Sequence, residues 1–360
     1  MKQSWLIVCL VILTAAFLEA QGRRGAGPAG APSIVEHVTV HGKALEGNLE
    51  GDSPDREVTI YLPPSYRTDQ ARRYPVVYLL HGYGLKDDMF IGKLGNLTES
   101  ADRLSTAQGF SAAIIVTPNA FTLHRGSMYS NSVTTGDWEA FIAQDLVAYV
   151  DSHYRTINER ISRGLAGHGM GGYGALRIGM KRPDVFSSLY IMSAAFLEAT
   201  DSARPESSAA AEAIKTRAQA EEAARAEQGP SLALALAAAW SPNAGNAPLF
   251  LDLPVKDGKV RADIATRWTA NTGLAMMESQ VSNLNKLYSI AIDIGTRDPM
   301  LASNRRLHEA MMRLKIGHRY EEYDGDQTNR LGDRIEKNFL PFFSRNLAAT
   351  ANPTSPAVKD

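Results

Sequence analysis

The pattern of apolar and polar residues predicts a sheet with two kinds of strand in the first third of the chain. Residues 34–40 and 56–62 alternate apolar and polar side chains, which predicts two half-exposed antiparallel strands. Residues 74–80 and 111–116 are largely continuous apolar runs, as in strands covered on both faces. These segments predict a sheet that combines exposed outer strands with buried central ones.

Beyond this region, strands and helices alternate. Apolar residues recur at helical spacing between Trp138 and His153, which predicts one helix with a buried stripe. Alternation of this kind is typical of a parallel sheet with crossover helices, so we expect an α/β fold. The remaining predicted elements are strands at 161–166, 186–192, 287–294 and 319–323, and helices at about 171–181 and 330–346.

One segment, at about residues 195–285, interrupts the alternation between two predicted sheet strands. We call it the cap region, because an insertion of this length can cover whatever the sheet presents at its carboxyl edge. Its alanine-rich first part, to about residue 230, predicts a solvated helix, and a helical excursion without a role is an equally good interpretation of it. The later part contains Trp240 and Trp268 and is the better candidate for lining a site.

The N-terminus predicts a secretory signal. Lys2 precedes an apolar run at 5–13, and Ala20 offers a small residue at a cleavage point. A membrane anchor is the alternative, but the uncharged run is shorter than the roughly 20 residues that cross a bilayer. We therefore expect a secreted or periplasmic protein with no membrane span after signal removal. The expected boundaries are a signal at 1–20, a flexible leader at 21–32, a folded domain at 33–347 and a disordered tail at 348–360.

Composition and charge exclude several classes of protein. With 44% hydrophobic residues the chain can bury a large core, so wholesale disorder is excluded. The 38 basic residues balance 39 acidic ones, which leaves no basic field for nucleic acid. The single cysteine, Cys9, lies in the predicted signal, so no disulfide or cysteine-rich zinc site is expected. The histidines have no acidic companions at ligand spacing, and we predict no metal site.

The segment at 165–174 carries the first chemical signal. A predicted strand leads into a glycine-rich turn and directly into a predicted helix, the context of a G-x-S-x-G nucleophile elbow. Gly167 and Gly171 occupy the flanking positions, but the nucleophile position holds Gly169. A phosphate-binding loop is the alternative. It is disfavoured because the turn falls in mid-chain after several strands and no acidic residue completes a ribose site.

Three segments together resemble the putative-esterase family of α/β-hydrolases: Leu-Leu-His-Gly-Tyr-Gly at 79–84, Gly-His-Gly-Met-Gly-Gly-Tyr-Gly-Ala-Leu-Arg at 167–177 and Leu-Pro-Phe-Phe-Ser-Arg at 340–345. That family includes feruloyl and enterochelin esterases, S-formylglutathione hydrolases and mycolyltransferases. The resemblance covers about residues 35–347. It implies an α/β-hydrolase fold with an inserted cap, hydrolysis of carboxylic esters or acyl transfer by a Ser-Asp-His triad, and no cofactor.

The resemblance also implies site residues. Asp298 matches the triad acid, with Asp293 as a rival whose place inside a strand favours a structural role. Gln327 stands at the histidine position, so both the nucleophile and the base are replaced. The backbone N–H groups of Tyr83 and Met170 match the two donors of the oxyanion hole. Backbone donors do not depend on side chains, so this part of the machinery can persist.

Other polar and aromatic residues are candidates for lining a pocket. His81 follows a buried strand in the oxyanion segment, although a tight turn alone would explain its His-Gly pair. His168 is expected to be packed and hydrogen-bonded, because the residue before a nucleophile usually points into the fold. For the loop residues, a surface or hydrogen-bonding role is the alternative. The full set of pocket candidates is His81, His168, His124, Ser130, Asn131 and Trp240.

Two hypotheses follow from the sequence. In the first, the protein is catalytically impaired and binds a ligand in the capped pocket, either a small-molecule ester or carboxylate or a protein partner. Loss of both nucleophile and base motivates it, because neither Gly nor Gln can perform the missing proton transfer. In the second, the protein is a carboxylesterase or acyltransferase that uses a displaced nucleophile or has been deliberately inactivated.

Overall fold

A mixed sheet of eight strands forms the centre of the fold in the computed structural model, which describes residues 32–92, 94–199, 205–226 and 230–350. Two short hairpins lie outside this sheet. In chain order the strands are β1 (Ile34–His41), β2 (Asp55–Leu62), β3 (Val76–Leu80), β4 (Ile114–Pro118), β5 (Asn131–Ser132), β6 (Gly136–Asp137), β7 (Arg163–His168), β8 (Ser188–Met192), β9 (Val255–Lys256), β10 (Lys259–Val260), β11 (Ser289–Gly295) and β12 (Arg319–Tyr323).

The strand order is β1-β2-β4-β3-β7-β8-β11-β12. The β1–β2 and β2–β4 pairs are antiparallel, and every other pair is parallel. In register, Leu80 pairs with Gly167 and His168 pairs with Met192, so β3, β7 and β8 end at the same edge. The loops after these strands therefore meet at one place, which is where the site lies. The predicted α/β fold is confirmed.

Helices cover both faces of the sheet. They are α1 (Ser65–Thr68), α2 (Leu97–Ser105), α3 (Trp138–Ala140), α4 (Leu146–His153), α5 (Met170–Lys181), α6 (Pro205–Glu212), α7 (Arg217–Arg225), α8 (Ser231–Trp240), α9 (Ala262–Ala270), α10 (Gly273–Glu278), α11 (Val281–Leu284), α12 (Leu301–Arg313), α13 (Leu331–Arg334) and α14 (Leu340–Asn346). One π-helical turn joins α3 to α4 and another joins α13 to α14, so each predicted long helix is continuous.

The central strands of the sheet have apolar side chains on both faces, so helices must pack on both sides of the sheet. All five residues of β3 are buried, with Val76 and Tyr78 facing one apolar cluster and Val77 and Leu79 facing the other. A strand buried on both faces has no polar side, which is the pattern that the continuous apolar run predicted. By contrast, β1 is mostly half-exposed, as expected for an edge strand.

Helices α1, α2 and α12 and the helices α8–α11 of the cap region were not predicted, and α2 and α12 show why. The buried face of α12 includes the polar residues Ser303 and Asn304 beside Leu307, Ala310 and Met311, so the apolar periodicity is interrupted. Only three residues of α2 are buried, and one of them is a serine. The buried face of α2 is narrow and that of α12 is partly polar, so neither sequence shows a clear apolar periodicity.

The cap region divides into an exposed and a buried part. In the alanine-rich helix α7 only Ala220 is buried, as expected for a solvated helix. Helix α8 is different, because nine of its ten residues are buried. Its last residue, Trp240, packs edge to face on Trp268, with ring centroids 6.0 Å apart. The later part of the cap region is thus continuous with the main apolar core.

The predicted signal and nearly all of the predicted leader lie outside the described residues, as does the tail from residue 351. Within the ranges that the structure describes, no helix is both long and apolar enough to cross a membrane.

Replacing Trp268 tests whether the cap region belongs to the cooperative fold. The ring is 4% exposed and its Nε1–H donates to Ser241 Oγ at 2.8 Å. We expect Trp268→Ala to lower the free energy of unfolding by about 3–5 kcal/mol, because it leaves a large cavity. Chemical denaturation measures this loss. Val260→Ala, at a residue 72% exposed in the same region, is the control. Equal midpoints for the two variants would show that the cap region contributes nothing to global stability.

Candidate functional site

A sharp strand-turn-helix unit forms the centre of the candidate site. Strand β7 ends at His168, Gly169 makes the turn, and α5 begins at Met170. Gly169 has φ 59° and ψ −115°, a conformation that glycine adopts much more readily than other residues. Its N–H donates to Met192 O, and its carbonyl accepts from the N–H groups of Tyr173 and Ala195, each at 3.1 Å. The turn is therefore held by three backbone hydrogen bonds.

The three glycines of this turn have different steric surroundings. A Cβ atom at Gly171 would overlap the carbonyl of Leu80, and one at Gly167 would overlap the carbonyl of Gly171. A Cβ atom at Gly169 would instead lie 3.8 Å from Gly82 Cα and 3.9 Å from Gln327 Nε2, which are ordinary contact distances. The flanking positions thus require glycine, whereas position 169 has space for a side chain.

Gln327 lies beside that space, in the loop that follows β12. His168 holds this loop, because its Nε2 is 2.7 Å from the carbonyl oxygen of Gln327. A carbonyl only accepts, so we assign the proton to Nε2. His168 is 4% exposed, and burial lowers its pKa, which keeps the ring neutral. Its Nδ1 is buried without a hydrogen-bond partner among the described residues. His168 is thus packed, as expected, and supports the Gln327 loop.

The carboxylate of Asp298 is buried behind this loop, after β11. Its Oδ1 accepts from the N–H of Met300 at 2.8 Å. Its Oδ2 has no hydrogen-bond partner within the described part of the chain, so the amide of Gln327 does not bond it. Burial raises the pKa of Asp298, although the Met300 N–H and the nearby hydroxyl of Ser193 oppose the shift. A buried carboxylate oxygen without a donor can accept a hydrogen bond from a further group.

The rival acid, Asp293, has a different set of partners. It lies inside β11 and accepts from Tyr190 Oη at 2.7 Å and from Arg334 Nε at 3.0 Å. The Arg334 guanidinium also bonds Glu321. Asp293 thus belongs to a buried ionic network and not to the loops that carry Asp298 and Gln327.

His81 supports the oxyanion loop, residues 81–84. The side chain is fully buried, and the N–H of Ala120 donates to its Nε2 at 2.8 Å. Its Nδ1 therefore carries the proton and donates to Gly82 O at 2.8 Å. Burial lowers the pKa of His81 to about 4, so this arrangement persists at neutral pH. Because no part of the ring is exposed, His81 positions the loop and does not face a ligand.

The two proposed oxyanion donors are free. Neither the N–H of Tyr83 nor that of Met170 donates to another group among the described residues. The Met170 N–H is also the first in α5, where the helix dipole favours negative charge. These groups can therefore donate to an oxygen atom placed beside Gly169.

His124 is buried and does not line an open pocket. It is 1% exposed, and its Nε2 lies 3.3 Å from Oε1 of the equally buried Glu50. Burial lowers the pKa of His124 to about 3 and raises that of Glu50 well above its ordinary value. The His124 ring is therefore neutral near pH 7, and burial favours the uncharged form of Glu50, which lowers the cost of burying this pair.

The loop around His124 joins the oxyanion loop to the cap region. The hydroxyl of Tyr83 donates to His124 O, and the N–H of Gly84 donates to Arg125 O, each at 3.0 Å. The guanidinium of Arg125 donates to Ala224 O at 2.8 Å and to Ala226 O, at the C-terminal end of α7. Arg125 was missed by the sequence analysis, since no local motif marks an arginine that pairs with distant carbonyl groups.

The remaining pocket candidates lie in the core or at the surface. Ser130 is fully buried, donates to Met128 O and accepts from Trp240 Nε1 at 3.3 Å. Trp240 is 3% exposed in a cluster of aromatic rings. Asn131 is exposed and bonds Asp137 across the β5–β6 hairpin. Ser130 and Trp240 are thus buried with their polar atoms engaged, and Asn131 lies on a surface hairpin.

Within the described ranges, no group of three or more histidine, cysteine or acidic side chains is arranged to hold a metal ion.

The unequal steric surroundings of the elbow glycines give a matched test. Gly171→Ala is expected to cost about 3 kcal/mol or more of stability, because its methyl group meets the Leu80 carbonyl in a packed core. Gly169→Ala should cost only about 1–2 kcal/mol, the strain of a positive φ. Thermal and urea denaturation compare the two variants. Equal losses would mean that the turn does not have this geometry.

Comparison with known proteins identifies the family. The family model described as putative esterase matches residues 53–331. Among curated proteins, Esterase Rv1288 of Mycobacterium tuberculosis is 35% identical over 139 residues. That match covers 36% of this chain and spans 27% of the relative's length.

Solved structures share the fold. A ferulic acid esterase covers 89% of this chain and 100% of its own, with a TM-score of 0.63 and 24% identity. A ferulic acid esterase from Anaeromyces mucronatus, solved with ferulic acid, covers 90% and 93%, with a TM-score of 0.53 and 18% identity. The fold is thus that of α/β-hydrolase esterases, and the match over most of the chain shows that this protein belongs to the putative-esterase family.

Proposed function

We propose that this protein is a secreted member of the esterase family with impaired ester hydrolysis, and that it binds a small-molecule ester or carboxylate at the elbow. One observation carries the proposal. The space beside Gly169 lies next to the amide of Gln327, so the nucleophile and base positions are neighbours and both lack the required chemistry.

The residues at these two positions cannot perform the reactions of a triad serine and histidine. Gly169 has no oxygen that could be acylated, and the amide of Gln327 has no nitrogen that accepts a proton near pH 7. In triad enzymes, the oxyanion hole and binding alone leave a residual acceleration of about 10³–10⁴ over water. A rate of that size is far below that of a working esterase.

Nearby hydroxyl groups are poor substitutes for the nucleophile. Ser127, Ser130 and Ser193 are all fully buried. Ser130 already bonds Met128 and Trp240, and Ser127 accepts from the N–H of Tyr129. The nearest histidine to the turn, His168, is engaged with the Gln327 carbonyl through the nitrogen that carries its proton. For one of these serines to act as the nucleophile, its side chain would first have to move out of its buried position.

Ligand binding is supported by what the site retains. The N–H groups of Tyr83 and Met170 are free, and the amide of Gln327 adds a third donor at the same place. An uncharged set of donors suits the oxygen of an ester carbonyl or a carboxylate. The esterase of Anaeromyces mucronatus was solved with ferulic acid, so arylcarboxylates and their esters are the first ligands to test.

The retained acid favours a second candidate, a carboxylesterase or acyltransferase that is active as it stands through a displaced nucleophile. Asp298 is buried with one oxygen unpartnered, as the acid of a triad that lacks its histidine would be. The two candidates differ in the activity of the chain as it stands.

Restoring the triad tests this difference. We expect the unmodified protein to hydrolyse 4-nitrophenyl acetate far below the usual enzyme range of about 1–10³ s⁻¹. The Gly169→Ser, Gln327→His double variant should show burst kinetics, because it regains both nucleophile and base. The single variants are the matched controls, and Gly169→Ser alone should gain little. Turnover by the unmodified protein at an ordinary esterase rate would overturn the proposal.

Thermal unfolding tests ligand binding separately. A ligand present at 100 times its Kd should stabilise the protein by about 2.7 kcal/mol, seen as a higher Tm. Ferulate, ferulate methyl ester and short-chain analogues form the panel. Gln327→Leu keeps a side chain of similar size without its donor and should reduce the shift. A panel without any shift would count against a retained ligand site.

A further inference from the structure

The cap region contains a cavity of about 190 Å³ that shares no lining residue with the elbow. It lies among α6, α8, the loop before β9 and the β9–β10 hairpin. It is half open to solvent, so a ligand can enter it without a rearrangement of the core. A dry cavity of about 150 Å³ accepts benzene, and this one is therefore large enough for a single ring or a short alkyl chain.

The walls of the cavity combine an aliphatic part with polar and charged side chains. Leu234 and Leu251 form its buried part, and Ile214, Leu249 and Leu253 are half-buried around it. Aliphatic walls favour an apolar group by removing its surface from water, at about 25 cal/mol per Å². The cavity thus selects for an apolar tail.

The charged side chains at the rim of the cavity differ in the hydrogen bonds that they form with neighbouring residues. The carboxylate of Glu212 accepts from the N–H of Asp257 at 2.6 Å, and that of Asp252 accepts from Asn243 and Arg261. The ammonium groups of Lys215 and Lys256 are exposed and form no hydrogen bond or ion pair with the described residues. Three cationic side chains, those of Lys215, Lys256 and Arg261, line the cavity with two anionic ones, so the rim carries a small positive excess.

We propose that this cavity binds an amphipathic organic anion, a monocarboxylate with a single ring or a short alkyl chain. Its tail lies between Leu234 and Leu251, and its carboxylate meets Lys215 and Lys256. A neutral molecule would fill the apolar part and leave both ammonium groups without a partner. A dianion would have to bring a second charge near Asp252 and Glu212. The inference does not depend on the proposed function, because it concerns different residues.

Methyl NMR distinguishes the two sites directly. Hexanoate is the probe, the methyl groups of Ile214, Leu234 and Leu251 report on the cap cavity, and the methyl group of Met170 reports on the elbow. We expect saturable shifts of the three cap signals with hexanoate and at least tenfold weaker binding of 1-hexanol. Binding of hexanoate should weaken as NaCl is added, because the rim charges are exposed.

Matched charge variants test the rim. Lys215→Gln, Lys256→Gln should weaken hexanoate binding at least tenfold. The control, Lys43→Gln, Lys315→Gln, removes two other exposed lysines and should leave it unchanged. Ala211→Leu fills part of the cavity and should also weaken binding. Equal affinity for hexanoate and 1-hexanol, or unchanged affinity in the rim variant, would overturn the proposal. Shifts confined to Met170 would also overturn it, while supporting a ligand at the elbow.

Discussion

The tight crossing of α5 over the end of β3 is the constraint on which the site depends. Gly171 lies so close to the Leu80 carbonyl that no side chain fits between them. This contact brings the first turn of α5 against the start of the oxyanion loop. The N–H groups of Met170 and Tyr83 can serve one oxygen only because the two backbones approach so closely. The donors are thus set by backbone packing and remain when the nucleophile is absent.

The histidines around the elbow support loops. His81 fixes the oxyanion loop through Gly82, and His168 fixes the base-position loop through Gln327. Each ring is buried and neutral, so its hydrogen bonds do not change near neutral pH. The loops on either side of Gly169 are therefore held in place by buried, neutral side chains.

The cap region contacts this site directly, through the N–H of Ala195 and the hydroxyl of Tyr173, and also through the loop at 124–125. Residues 124 and 125 accept hydrogen bonds from the oxyanion loop, and Arg125 also donates to the end of α7. At the other end of α7, Arg217 donates to the carbonyl of Glu50, which lies against His124. The exposed helix is thus held at both ends by arginine contacts, whereas α8 is held by apolar packing. The alanine-rich part of the cap region thus makes defined contacts, although its sequence contains few large apolar residues.

The sequence by itself determined the central strands, the strand-turn-helix unit and the glycine at its turn, because these depend on local patterns. Continuous apolar runs marked β3 and β4, and the glycine spacing marked the turn at Gly169. Only the tertiary structure decided the roles of His124, Ser130 and Trp240, which are buried by residues distant in sequence. The same holds for Arg125, for the unpartnered oxygen of Asp298 and for the cavity in the cap region. Periodicity reports which residues face a core, but hydrogen-bond partners and empty space depend on how separate segments pack against one another.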